Sequence, residues 1–123
     1  MRRRRNAPFH SSALCVAAAA AACRVTPDEL RAPSRGRARV ADARHLAVYL
    51  DHVAFGASLS ACGRAIARDR TSVRHACARI EDRRDDVAFD RAVAALEKAL
   101  CAQKRLLEAL ALSFTLYPTG DDS

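Results

Sequence analysis

The chain has no tryptophan, one methionine, four glycines and four prolines, and only 5% of its 123 residues are aromatic. With so little aromatic bulk, any core must be aliphatic, and 28 of the 62 hydrophobic residues are alanine. Alanine favours helix and adds little buried area, so closely approaching helices are expected rather than a sheet-based core. No run with strand periodicity stands out. No stretch approaches the roughly 18 strongly apolar residues of a membrane span, so no membrane partner is expected. No G-x-x-x-x-G-K-[ST] loop occurs in these residues, which excludes an ATP-driven motor within them and a nucleotide partner. Five cysteines, at 15, 23, 62, 77 and 101, are odd in number and form no C-x-x-C pair. That spacing fits neither a disulfide framework nor a zinc ribbon, and Cys77 near His75 has no nearby residues to complete a tetrahedral site. Reduced, helix-borne cysteines in a cytoplasmic protein are expected, with no metal and no other cofactor.

Arginine is what the chain has in abundance. Lysine and arginine together number 21 against 14 acids, a net charge of +7. Residues 1–44 hold ten arginines against Asp28, Glu29 and Asp42, whereas residues 45–123 hold eleven basic and eleven acidic side chains. The whole surplus therefore sits in the first third, which suggests a polyanionic partner. Met1-Arg2-Arg3-Arg4-Arg5, followed by an apolar stretch ending at Cys23, also has the ingredients of an export signal. Its only large aliphatics are Leu14 and Val16, and the odd cysteine count gains nothing from secretion, so the stretch reads as a first helix.

Residues 1–11 read as a disordered basic arm, and residues 12–100 as one all-α domain. Residues 101–116 extend its last helix, and 117–123 form a disordered tail. Ser12 is expected to cap a helix to Cys23. Thr26-Pro27-Asp28-Glu29 has the form of a capping box that opens a short helix. Pro33, Ser34 and Gly36 break the chain, leaving a loop decorated by Arg35, Arg37 and Arg39. From about Val40 the spacing predicts one helical face of Ala43, Leu46, Ala47, Leu50 and Val53, running to about Phe55. Ser58 then caps a helix over Leu59 to Ala67, and Asp69 or Thr71 begins another, with Val73, Ala76, Cys77 and Ile80 on one side. Asp85-Asp86 supply the N-terminal charge of a last long helix. Its seam of Phe89, Val93, Leu96, Leu100, Gln103, Leu107, Leu110 and Phe114 alternates steps of four and three, the coiled-coil period. The first half is expected to pack on the domain. The second half has no intramolecular partner left and offers a surface for a homodimer.

The informative stretch runs from Ser58 to Ala76, with Arg79 one turn of helix further on. A short helix, a tight connection and a second helix that opens with hydroxyls and arginine form the pattern of a helix-turn-helix. Arg64, Arg68, Arg70, Arg74 and Arg79 outnumber the lone Asp69 there. The planar guanidinium fork matches both phosphate oxygens and the guanine edge, and Thr71 can offer a methyl to thymine and a hydroxyl to a base or phosphate.

Asp69-Arg70-Thr71-Ser72-Val73-Arg74-His75-Ala76-Cys77 resembles the D-H/R-T-T-V-x-H-A signature of domain IV of the bacterial replication initiator DnaA. Ala43-Arg44-His45-Leu46-Ala47-Val48-Tyr49-Leu50 is similar to the family's A-R-q-x-A-x-Y-L helix, and Ser58-Leu59 leading to Gly63-Arg64 to its S-L-x-x-I-G segment. The resemblance spans about residues 14–100. It implies an all-helical, Trp-repressor-like helix-turn-helix bundle that binds double-stranded DNA at short DnaA-box-type sites. By position, Asp69, Arg70, Thr71 and Ser72 fall on the major-groove reader, joined on the same helix by Arg74. The minor-groove arginine falls on Arg35 or Arg37. Arg39, Arg64, Arg68 and Arg79 are candidate minor-groove or phosphate contacts, and Arg44 and His75 match further motif positions as structural or phosphate contacts. Arg70 stands where His is commonest, Ser72 replaces the second Thr, Ser60 stands where Pro is common, and Ile66-Ala67 replaces the usual Phe-Gly.

The leading expectation is thus a sequence-specific DNA-binding regulator of transcription or replication initiation, without ATPase activity, in the nucleoid. The alternative is an interaction module that uses the C-terminal seam, with weak DNA affinity. An enzyme is the third class: His75 with Cys77 or Asp69 could be imagined as a nucleophile and base, but they share one helix and lack an oxyanion site, so no catalytic residue is assigned.

Overall fold

Every regular element among the described residues is helical. The computed structural model describes residues 11–33 and 37–113. Six α-helices follow in order: α1 (Ser11–Cys23), α2 (Pro27–Arg31), α3 (Ala38–Tyr49), α4 (Leu59–Ile66), α5 (Arg70–Arg83) and α6 (Val87–Ser113). A π-helical turn, Leu50–Ala54, directly continues α3.

Helix α3 is the central post, packed on α1 on one side and α5 on another. The α1 stripe consists of Cys15, Val16, Ala19 and Ala20; Ala43, Leu46 and Ala47 of α3 answer it with Leu50 of the π turn, all buried. Small side chains on both helices allow the close approach expected from the composition. Their modest area, at about 25 cal/mol per Å², leaves much of the bulk to Leu30, Tyr49, Ile66, Val73 and Ile80.

Two expectations for this region are corrected. Ser12 does not cap α1 from outside, because the helix already includes Ser11. Both serine hydroxyls instead donate to the carboxylate of Asp51, Ser11 at 2.7 Å. Val53, expected on the buried face, is 47% exposed, while Asp51 is only 2% exposed. The π turn explains both. Its wider turn shifts the phase of the following side chains, so Asp51 swings inward and Val53 outward. The buried carboxylate then meets the N-terminus of α1, where helix dipole and hydroxyl donors offset its desolvation.

The helix-turn-helix forms as expected, and its first helix stops at Ile66. Ser58 accepts from the Ala61 amide at 3.0 Å and caps α4. Ala67 closes α4 in the left-handed region at φ 57°, and the Arg68 amide then reaches back to the Gly63 carbonyl at 2.8 Å. Of the two starts considered for α5, Asp69 is the cap; its Oδ1 accepts from the Ser72 amide at 2.8 Å. Gly63 lies where the turn folds back on α4. A Cβ there would collide with the Arg68 carbonyl oxygen and press on Val73.

Helix α6 begins as its acids suggest, with Asp86 Oδ1 accepting from the Ala88 amide at 3.1 Å. Val93 and Leu100 are buried, with Phe89 and Leu96 packed beside them. Arg84 ties the helix down polarly: its guanidinium donates to Asp90, to Glu97 at 3.0 Å and to the Tyr49 hydroxyl at 3.0 Å. Beyond Cys101 the seam leaves the body. Gln103 is exposed, Leu107 and Leu110 are 37% and 43% exposed, and Phe114 lies outside the described residues.

The turn yields a pair of opposite predictions. Gly63→Ala should destabilise the fold by about 1–3 kcal/mol, through overpacking against backbone that cannot yield. Ala67→Gly should stabilise it by about 1 kcal/mol, because only glycine adopts the left-handed conformation without a Cβ penalty. Urea unfolding at unchanged m-value checks both signs.

Candidate nucleic-acid interface

The reading helix has its inward side occupied by Val73, Ala76 and Ile80. At 100° per residue, Thr71 then falls at the centre of the outward side, with Ala78 nearly above it. Arg70 and Arg74 share one flank. Ser72, His75 and Arg79 share the other, and all of these residues are exposed. Asp69 stands at the N-terminal tip, but its carboxylate is committed to the cap. Bonds from the Ser72 amide and hydroxyl and the Thr71 amide hold it below the usual carboxylate range. The only acid at the reading end is thereby engaged by the helix terminus.

A cleft of about 170 Å³ opens beside the Ser72 flank, between α3, the turn and α5. Arg44, His45, Arg68 and Ser72 line it, over a floor that includes Val48, Ile66 and Val73. His45, which motif matching did not single out, is half-buried there. Burial, reinforced by Arg79 and then Arg44 and Arg83 against Asp42, pushes its pKa below 6.5. Its place next to Arg44 in the quoted motif was the only sequence signal for it.

The remaining predicted arginines divide. Arg64 on α4 is exposed. Arg44, expected as a structural or phosphate contact, is held by the backbone. It is 7% exposed, and its guanidinium donates to the backbone carbonyls of Leu30 at 2.9 Å and Glu29 at 3.3 Å. Arg68 is half-engaged in the same way, donating to the Ala32 carbonyl at 3.1 Å and to those of Ile66 and Ala67. Arg37 is exposed and pairs with Glu29 at 2.7 Å. Exposed pairs of this kind are worth about 0–1 kcal/mol, so phosphate could displace it at little cost. Arg39 is exposed on the first turn of α3. Arg35 lies outside the described residues, as do the arm at 1–10 and the tail at 114–123.

Of the partners considered for His75, Cys77 is half-buried with its thiol pushed up by burial, and Asp69 is engaged at the cap of α5. Among the described residues no group of three His, Cys, Asp or Glu side chains could hold a metal ion. No described helix is long and apolar enough to cross a membrane.

A capped reading helix held across a tight turn, with one exposed cationic face, defines the helix-turn-helix class of DNA-binding domains. The bacterial DnaA protein helix-turn-helix family matches residues 15–80, more than half of the chain, and the protein belongs to that family. The match covers α1 to nearly the end of α5 and leaves α6 outside it, a shorter span than the 14–100 read from the motifs. No curated relative matches the chain. The family is one of DNA-binding rather than catalytic domains.

The cleft generates a pH prediction. His45 binds a proton less readily in the fold than in the unfolded chain. Its contribution is therefore complete above about pH 6.5 and is lost as pH falls below that value through its depressed folded pKa. Between about pH 7.5 and pH 5.5 the melting temperature of the protein should fall, and it should fall less in His45→Gln. Calorimetry at the two pH values measures the difference.

Proposed function

We propose that this protein binds double-stranded DNA in a sequence-specific manner, at short sites of the DnaA-box kind. It acts as a regulator of replication initiation or transcription in the nucleoid, without hydrolysing ATP. One observation carries the reading: the outward side of α5 presents Thr71 centrally between two cationic flanks, on the turn of helix that a helix-turn-helix inserts into the major groove. Arg64 and the cleft-side residues Ser72, His75 and Arg79 suit the phosphates beside the groove. Arg35 or Arg37, at the loop after α2, suits the adjacent minor groove.

Fluorescence anisotropy on a DnaA-box duplex and a scrambled duplex tests this reading with the whole chain. The box should bind more tightly at moderate salt, and equal affinities would overturn sequence-specific reading. Thr71→Ala should cost about 1–3 kcal/mol on the box alone, whereas Arg64→Ala should weaken both duplexes and lower the salt slope by about one.

The exposed leucines of α6 favour a second reading, in which this helix also joins two copies of the chain. Leu106, Leu107 and Leu110 form one apolar strip beyond the packed body. Two readers would then address paired half-sites. In sedimentation across a hundredfold concentration range the protein should pass from monomer to dimer, and a monomer throughout removes this reading.

A further inference from the structure

Arg70 and Arg74 stand one helical turn apart on the same flank of α5, both exposed. Among the described residues, neither has a carboxylate within ion-pairing distance; the ion pairs there involve Arg31, Arg37, Arg83 and Arg84. The nearest acid in the chain, Asp69, is engaged at the helix cap. The opposite flank already has the features of a backbone contact: Ser72 and Arg79 adjoin a cleft whose other polar groups are His45, Arg44 and Arg68. The line between the flanks is small-sided, with Thr71 and Ala78, so the helix axis can lie deep in a groove.

Resting on the DNA-reading assignment above, we propose that Arg70 and Arg74 set the sequence preference by each reading a guanine, in two G·C pairs one or two steps apart. The guanidinium fork forms two parallel hydrogen bonds to guanine O6 and N7, a pattern no other base presents in the major groove. One helical turn advances about 5.4 Å along the axis. Base pairs are stacked about 3.4 Å apart, so two arginines a turn apart meet pairs separated by one or two steps. Thr71, between them and more central, then meets a base edge in the same short stretch and favours a thymine methyl. A histidine at position 70, the commoner residue in the family signature, has no two-donor fork. The guanine at that position would therefore distinguish the sites of this chain.

The test is selection of duplexes with a randomised core by the full-length protein, repeated with Arg70→Gln and Arg74→Gln. The protein should enrich a motif containing two G·C pairs at the stated spacing. Replacing either by another pair should weaken binding roughly 5- to 100-fold. Each glutamine variant should switch one of those positions from guanine to adenine, since glutamine pairs with adenine N6 and N7. An enriched motif without the two guanines overturns the proposal. So do glutamine variants that weaken all sequences equally and reduce the salt slope by about one each, which is the signature of phosphate contacts. Either result leaves specific DNA binding standing. If no motif is enriched, the DNA-reading assignment falls, and this proposal with it.

Discussion

Two arginines close the end of a five-residue helix, and the geometry of the reading surface depends on that closure. Helix α2 is too short to stand by itself, and of its last carbonyls that of Glu29 accepts from the Ala32 amide, at 3.3 Å. Arg44, from the middle of α3, takes the carbonyls of Glu29 and Leu30, and Arg68, from the helix-turn-helix connection, takes that of Ala32. Two positive charges at a helix C-terminus also suit its dipole. The result joins three separate parts of the chain at one point: the root of the basic loop, the central post and the turn before the reader. The C-terminus of α2 and the turn that leads into α5 are therefore held to a common frame.

This double duty of arginine also limits what the residues alone could reveal. The order of the helices, the capping box at Thr26, the cap at Ser58 and the inward stripe of α5 follow local rules, and each was legible because its signal lies within four residues. The destinations of Arg44 and Arg68 were not legible. A guanidinium that serves a phosphate and one that serves a distant carbonyl have the same neighbours in sequence. Asp51 was missed for a related reason: its acceptors' partners, Ser11 and Ser12, lie some 40 residues away. Helical periodicity failed at Val53 because it presumes a constant 3.6 residues per turn, which the π turn breaks. On the reading helix itself the pattern was informative, since an exposed face is defined by what the opposite face buries.

Charge is partitioned along the same axis as function. Near the junction of α5 and α6, Arg84 binds Asp90 and Glu97 and shares the Tyr49 hydroxyl with Glu81. Tyr49 is buried, so this network fastens α6 to α3 through a polar contact as well as through Val93 and Leu100. At the other end of α5, Asp69 is absorbed by its cap. Carboxylates are thereby held away from or neutralised at the surface that would face a polyanion, and the formal neutrality of residues 45–123 conceals a strongly cationic end.

The π turn after α3 gives the fold one place where chain length is spare. At about 4.4 residues per turn, its five residues sweep nearly the angle that four residues sweep in an α-helix. Loss of one residue between Leu50 and Ala54, other than Asp51, would therefore let α3 run on as an ordinary α-helix, with no gap in the backbone ladder. Ser58 would still launch α4 close to its present direction, and the helices beyond would keep their arrangement. The cost would be local, at the side chains around the turn. A single-codon deletion, which would turn the rest of an ordinary α-helix by about 100°, is absorbed here by the turn itself.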